Sequence, residues 1–187
     1  MARKRRLTGE AALNAAYGKS DHAPLLEAWG VDLPDDLLRL ALTHRSFANE
    51  NGHLPNNERL EFLGDAVLGL AVAEQLYRQF PERAESDISK MRSGVVNMYA
   101  LAGVARRLGM GEYILLGRGE MLTGGKDKHS ILADSVESML GAIYLHHGFD
   151  VARATVLRIF SDMITEAPTT GLNMDWKTVL LEKLSDM

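Results

Sequence analysis

The chain has 187 residues, 46% hydrophobic, 25% charged and 6% aromatic, with 17 Gly, 5 Pro and no Cys. That is about one domain and a tail, and it excludes a collagen, wholesale disorder, a disulfide scaffold and thiolate chemistry. The net charge of −4 includes the basic start Arg3–Arg6; without it, 17 positive charges face 25 negative ones, a balance of −8, which argues against indiscriminate polyanion binding.

Apolar residues recur at helical spacing along nearly the whole chain, and no alternating Val, Ile and Thr run exceeds a few residues, so the predicted class is all-α. Helices are expected over Leu7–Tyr17, Pro24–Trp29, Asp35–Ala48 and Glu58–Gln79, the last stopped by Pro81. Ser86 and Asp87 open a helix through Leu108 that ends at Gly109; Ser130 opens another that ends at Gly148, and Asp150 caps a last one to about Glu166. Asn49–Asn57 and Gly109–His129 read as surface loops. The expected organisation is a basic tail and first helix over 1–18, a helical domain over 19–166, a linker over 167–174 containing Pro168 and Gly171, and the start of a second domain over 175–187. The longest strictly apolar stretch, Ala66–Ala73, falls far short of the roughly 20 residues of a membrane span. Leu7–Gly18 supplies no apolar segment behind the basic start, so the expectation is a cytoplasmic protein without an export signal.

The chemistry concentrates in Asn57-Glu58-Arg59-Leu60-Glu61-Phe62-Leu63-Gly64-Asp65. At about 100° per residue from Glu58, Glu61 falls near 300° and Asp65 near 340°, while Leu60, Leu63, Val67, Leu70 and Ala71 fall between roughly 120° and 220°. Three carboxylates thus share a face opposite the expected core stripe. Such a seam is ordinarily a solvated surface. Here Phe62 projects beside it, away from that stripe, and a large exposed aromatic usually has a partner. Gly64 and Gly69 each cost about 1 kcal/mol of helix propensity relative to Ala. A second pair, Asp134 and Glu137, stands at i and i+3 on the next acidic helix, opposite Val136, Met139, Leu140 and Ile143. Ser138 and Gly141 lie on its acidic side, so small residues on both helices would let the acidic faces approach.

Converging carboxylates repel by on the order of 4 kcal/mol per pair at 4 Å and an effective dielectric of 20, which calls for a cation or raised pKa values. An all-oxygen donor set without Cys or a helical Glu-x-x-His favours Mg²⁺ or Mn²⁺ over zinc or a di-iron centre. Glu50 and His53 form the one Glu-x-x-His, and they fall in the Asn/Gly loop. A metal held by a few carboxylates keeps positions open for water and phosphate, the layout of phosphodiester hydrolysis.

Asn57 to Leu68 resembles the signature of the ribonuclease III family, and the resemblance extends over roughly Leu37–Gly148. It takes in Leu42-Thr43-His44-Arg45-Ser46, Glu85 in Glu-Ser-Asp-Ile-Ser-Lys-Met-Arg, Leu116-Gly117-Arg118-Gly119-Glu120 and Ile131–Tyr144. It implies an all-α endonuclease domain working as a symmetric homodimer, with Phe62 inserted into a socket on the other subunit. By position, Glu61, Asp65, Asp134 and Glu137 match the family's Mg²⁺ ligands, for which Mn²⁺ would substitute. Asp65 and Glu137 match its key catalytic acids, and Glu58 and Glu85 further acids of the cleft. The implied substrate is double-stranded RNA, including rRNA and mRNA precursors, cut to 5′-phosphate and 3′-hydroxyl ends with a short 3′ overhang and without a small-molecule cofactor. Asp175 to Leu184 resembles the first helix of the family's double-stranded-RNA-binding domain, of which 175–187 is too little to fold alone.

Candidates for contact with RNA are His44, Arg45, Lys90, Arg92, Arg118 and Lys126, with Arg106, Arg107 and Lys128 beside them. Each alone also fits ordinary surface solvation. His44 also fits a hydrogen-bonded histidine at a helix C-terminus. Two rival functions are an RNA-gripping protein that does not cut, opposed by the full set of acids, and a carboxylate metal protein, opposed by the lack of His at helical spacing from them.

Overall fold

The computed structural model describes residues 7–169. The class is all-α as expected, and among the described residues the single extended pairing is a parallel bridge between Thr43 and Leu115. In chain order the helices are α1 (Gly9–Tyr17), α2 (Ala23–Trp29), α3 (Asp35–Ala41), α4 (Arg45–Glu50), α5 (Glu58–Gln79), α6 (Glu85–Val95), α7 (Met98–Arg107), α8 (Arg118–Leu122), α9 (His129–His147) and α10 (Phe149–Ile159).

The core is built around α9. Every residue from Ile131 to Ile143 is buried except Asp134 and Glu137, which are half-buried. Against it α5 lays Leu60, Gly64, Val67, Leu68, Ala71, Val72 and Leu76, and each large side chain fully buried here is worth roughly 1.5–3 kcal/mol. The two helices touch backbone to backbone. A Cβ on Gly64 would lie 2.5 Å from the Glu137 carbonyl carbon and 2.9 Å from the Gly141 nitrogen, and one on Gly141 would lie 3.0 Å from the Leu60 carbonyl carbon. The expected glycine approach therefore belongs to Gly64 and Gly141; Gly69 has nothing within 4 Å of a Cβ and takes no part. Seating α9 on Gly64 rotates the core stripe toward Leu68, so Leu70, expected inside, is 57% exposed. It forms an outward apolar strip with Phe62 and Tyr77, 81% and 74% exposed.

Three predicted helices are broken. The one expected over Asp35–Ala48 parts into α3 and α4 because 42–44 turns to pair with Leu115, whose N–H donates to Leu42 O at 2.8 Å. The long helix through Leu108 parts at Asn97, whose side chain accepts from the Ala100 N–H and donates to the Ser93 and Gly94 carbonyls. One residue thus ends α6 and caps α7. After α10, helical structure resumes over 161–169 with Ile164 and Ala167 buried, so the ordered helix continues past the expected boundary at 166. Gly148, at φ 82°, makes the corner into α10 in place of an Asp150 cap. The loop Gly109–His129 contains α8 and two short 3₁₀ turns. Arg3–Arg6, the part beyond 169 of the expected linker, and the segment 175–187 lie outside the described residues.

Candidate active site

One backbone oxygen organises the site from behind. The Ala41 carbonyl, at the end of α3, accepts from Asn57 Nδ2 at 3.3 Å and from Ser138 Oγ at 2.8 Å. Asn57 is buried, and its N–H donates to Thr43 O at 2.9 Å. The residue opening α5 and the middle of α9 are therefore tied to the same point, and buried polar groups left without such partners would each cost about 1–3 kcal/mol. Glu58 and Glu61 follow Asn57 within about one turn, and Asp134 and Glu137 precede Ser138 within about one turn.

Held this way, Glu61, Asp134 and Glu137 each offer a carboxylate oxygen within 4.8 Å of the others. Burial raises the pKa of Glu61, and the charges of Asp134 and Glu58 add to it; burial likewise raises Asp134. Glu137 is pushed up to about 8 by desolvation and by the negative charges of Asp65, Asp134 and Glu61. The cluster is a deficit of positive charge in a partly desolvated place, and its donors are all hard oxygens. Those are the conditions for a divalent cation such as Mg²⁺ or Mn²⁺. Asp65 stands beside the trio, close enough to act on Glu137, and is itself exposed.

In front of Glu61 and Asp134 opens a cavity of about 390 Å³, with Glu58, His44, Arg45, Glu120 and Lys128 also on its walls. Arg45 lies 3.6 Å from Glu58. His44 is the N-cap of α4, not the end of a helix: its Nδ1 accepts from the Ser46 N–H at 3.2 Å and sits 2.7 Å from Ser46 Oγ. Burial lowers its pKa, so the ring is neutral near pH 7. With Nδ1 accepting, its proton is assigned to Nε2. Lys128 Nζ bonds Glu120 at 2.6 Å and Thr123 Oγ1 at 2.9 Å, and that bond holds Glu120 below the usual carboxylate range.

The other candidates fall elsewhere. Glu85 and Arg92 line a separate groove of about 520 Å³ between α5 and α6, over Leu70, Tyr77 and Ile88. Lys90 is exposed on α6. Lys126 is paired with Glu112 at 2.6 Å, the exposed Arg118 opens α8, and Arg106 and Arg107 donate to the Asp127 and Ile159 carbonyls. Sequence reasoning gave Lys128 no place above its neighbours and gave Glu120 no role. Seven residues with two glycines among them separate the pair, so no periodicity announces their pairing.

A family model described as Ribonuclease-III-like matches residues 34–163. The chain is 96% identical over its whole length to "Ribonuclease 3" of Corynebacterium jeikeium (strain K411), covering 77% of that protein. It is 61% identical over 98% of its length to "Ribonuclease 3" of Corynebacterium diphtheriae, covering 74% of it. Among solved structures, the nuclease domain of ribonuclease III from Campylobacter jejuni superposes with a TM-score of 0.72 at 43% identity, over 76% of this chain and 97% of that one. Flexibility in a region involved in dimer formation is described for that domain.

Proposed function

The chain belongs to the ribonuclease III family, and on that footing we propose that it is a divalent-metal-dependent endoribonuclease that hydrolyses phosphodiester bonds of double-stranded RNA. The observation that carries this reading is the trio Glu61, Asp134 and Glu137, which can place three carboxylate oxygens on one ion. Asp65 completes the acid set from the same face of α5. A Mg²⁺ ion held there, or Mn²⁺ in its place, supplies Lewis-acid stabilisation of charge at phosphorus and acidifies water.

The chain's own groups do the remaining work. Lys128 and Arg45 give the cavity rim positive charge that draws a phosphate backbone toward an otherwise acidic surface. The Glu120–Lys128 bond keeps the ammonium at the wall. The neutral His44 presents an Nε2–H donor to a phosphate or 2′-hydroxyl oxygen. A-form RNA is read by such shape and backbone contacts without a sequence code. The exposed strip Phe62, Leu70 and Tyr77 is the surface on which a second copy of the chain would pack, Phe62 as the anchor. In that homodimer two sites cut the two strands with a short stagger, leaving 5′-phosphate and 3′-hydroxyl ends. Glu85, remote from the trio within one chain, serves as a cleft acid if dimerisation brings the α5–α6 groove to the partner's site.

The test is a labelled RNA duplex incubated with the purified chain and Mg²⁺, with product ends mapped. Cuts with 5′-phosphate ends on both strands are expected, lost in Asp134→Asn. Random scission, or cutting that survives Asp134→Asn, would defeat the reading.

A further inference from the structure

We infer that Glu50, on α4, is a positioning residue for this reaction: with Ser46 it clamps the segment 117–128 so that Glu120 and Lys128 stand against the acid cavity. The inference rests on the nuclease reading above and adds to it a residue that lies away from the acids.

Three successive backbone amides of that segment are satisfied from one helix. Ser46 Oγ accepts from the Gly117 N–H at 2.9 Å, and the Glu50 carboxylate accepts from Arg118 at 3.0 Å and Gly119 at 3.4 Å. The approach needs glycine at 117, where a Cβ would lie 2.7 Å from Glu50 Oε1 and 2.7 Å from Ser46 O. The same helix starts at His44, whose ring nitrogen is 2.7 Å from Ser46 Oγ. At the other end, Glu120 and Thr123 hold Lys128 at 2.6 and 2.9 Å. The clamp thus sets His44 and the Glu120–Lys128 pair, which belong to distant parts of the sequence, on the walls of one cavity. Hydrogen bonds from N–H groups to a charged carboxylate are roughly twice as strong as neutral ones, which suits Glu50 to the task better than an amide. The clamp touches neither Glu61 nor Asp134.

A double-mutant cycle tests this with Glu50→Ala, Lys128→Met and the pair, read by KM and kcat for an RNA duplex and by duplex Kd in Ca²⁺. Manganese titration and thermal unfolding serve as controls. If Glu50 acts through Lys128, Glu50→Ala raises KM and Kd about ten-fold with kcat nearly unchanged, and adds less than about two-fold once Lys128 is Met. Manganese affinity stays at the wild-type value, and Glu50→Gln, which keeps one acceptor of the two and no charge, recovers only part of the loss. Unchanged KM and Kd, penalties that multiply independently, or a parallel loss of manganese affinity would each overturn the role. Failure of the wild-type chain to cut would sink the nuclease reading alone, because the Ca²⁺ arm still reads the coupling between Glu50 and Lys128.

Discussion

Replacing Gly64 by Ala probes the contact on which the acid cluster depends. In an ordinary helix the change would stabilise by about 1 kcal/mol. Here the new Cβ would lie 2.5 Å from the Glu137 carbonyl carbon and 2.9 Å from the Gly141 nitrogen, against an ordinary contact of at least 3.4 Å. Those atoms are backbone and cannot rotate away, and the Glu137 carbonyl oxygen is nearer still, so α5 and α9 must part by more than about 1 Å, a scale at which well-packed cores lose 1–3 kcal/mol or more. The parting opens a gap along the most extensive interface of the fold and separates Glu61 from Glu137. With the propensity gain offset, Gly64→Ala is expected to destabilise by about 2 kcal/mol, a fall in Tm of roughly 4–8 °C for a domain of this size. It should also weaken manganese binding measured by calorimetry. Gly69→Ala, with nothing within 4 Å, is the matched control and should leave stability equal or up to about 1 kcal/mol higher. A Gly64→Ala protein as stable as the control, or one that binds manganese as tightly as wild type, refutes the close-crossing argument.

Glu137, whose pKa rises from an ordinary 4.5 to about 8, binds more protons in the folded than in the unfolded protein between those values, so metal-free stability falls as pH climbs through that window. The full shift corresponds to about 5 kcal/mol, and partial solvent exposure screens this to about 1–2 kcal/mol. Glu137→Gln in EDTA should therefore melt higher than wild type at pH 8 and alike near pH 4.5; a lower Tm at pH 8 contradicts the burial argument. Phe62, 81% exposed, supports little in a lone chain, so Phe62→Ala should leave the intrinsic stability of the monomer within about 0.5 kcal/mol. It should shift sedimentation from dimer toward monomer, and an undisturbed dimer would remove Phe62 from the interface.

Much of this was legible in the sequence because the informative residues are local. Glu58, Glu61 and Asp65 share a face by helical arithmetic, as do Asp134 and Glu137, and Gly64 and Gly141 marked the place where their helices could meet. Phe62 announced its exposure by pointing off the core stripe. What stayed hidden depends on contacts distant in sequence. The pairing of 42–44 with Leu115 cuts a helix that local propensity would have continued, and it turns His44 from a helix end into a cap. The rotation of α5 that exposes Leu70 follows from where α9 seats on Gly64, which no single-helix wheel contains. Lys128, Glu120 and Glu50 gain meaning only once α4 and α8 are side by side.

The most direct test of the account is metal-dependent cleavage by the acid trio. A long labelled RNA duplex at low salt should be cut by the wild-type chain in Mg²⁺, left intact in EDTA, and left intact by a folded, dimeric Glu137→Gln protein that still binds the duplex. Cutting by Glu137→Gln, or an intact duplex with wild type in Mg²⁺ despite measurable RNA binding, would contradict the assignment of these carboxylates to phosphodiester hydrolysis.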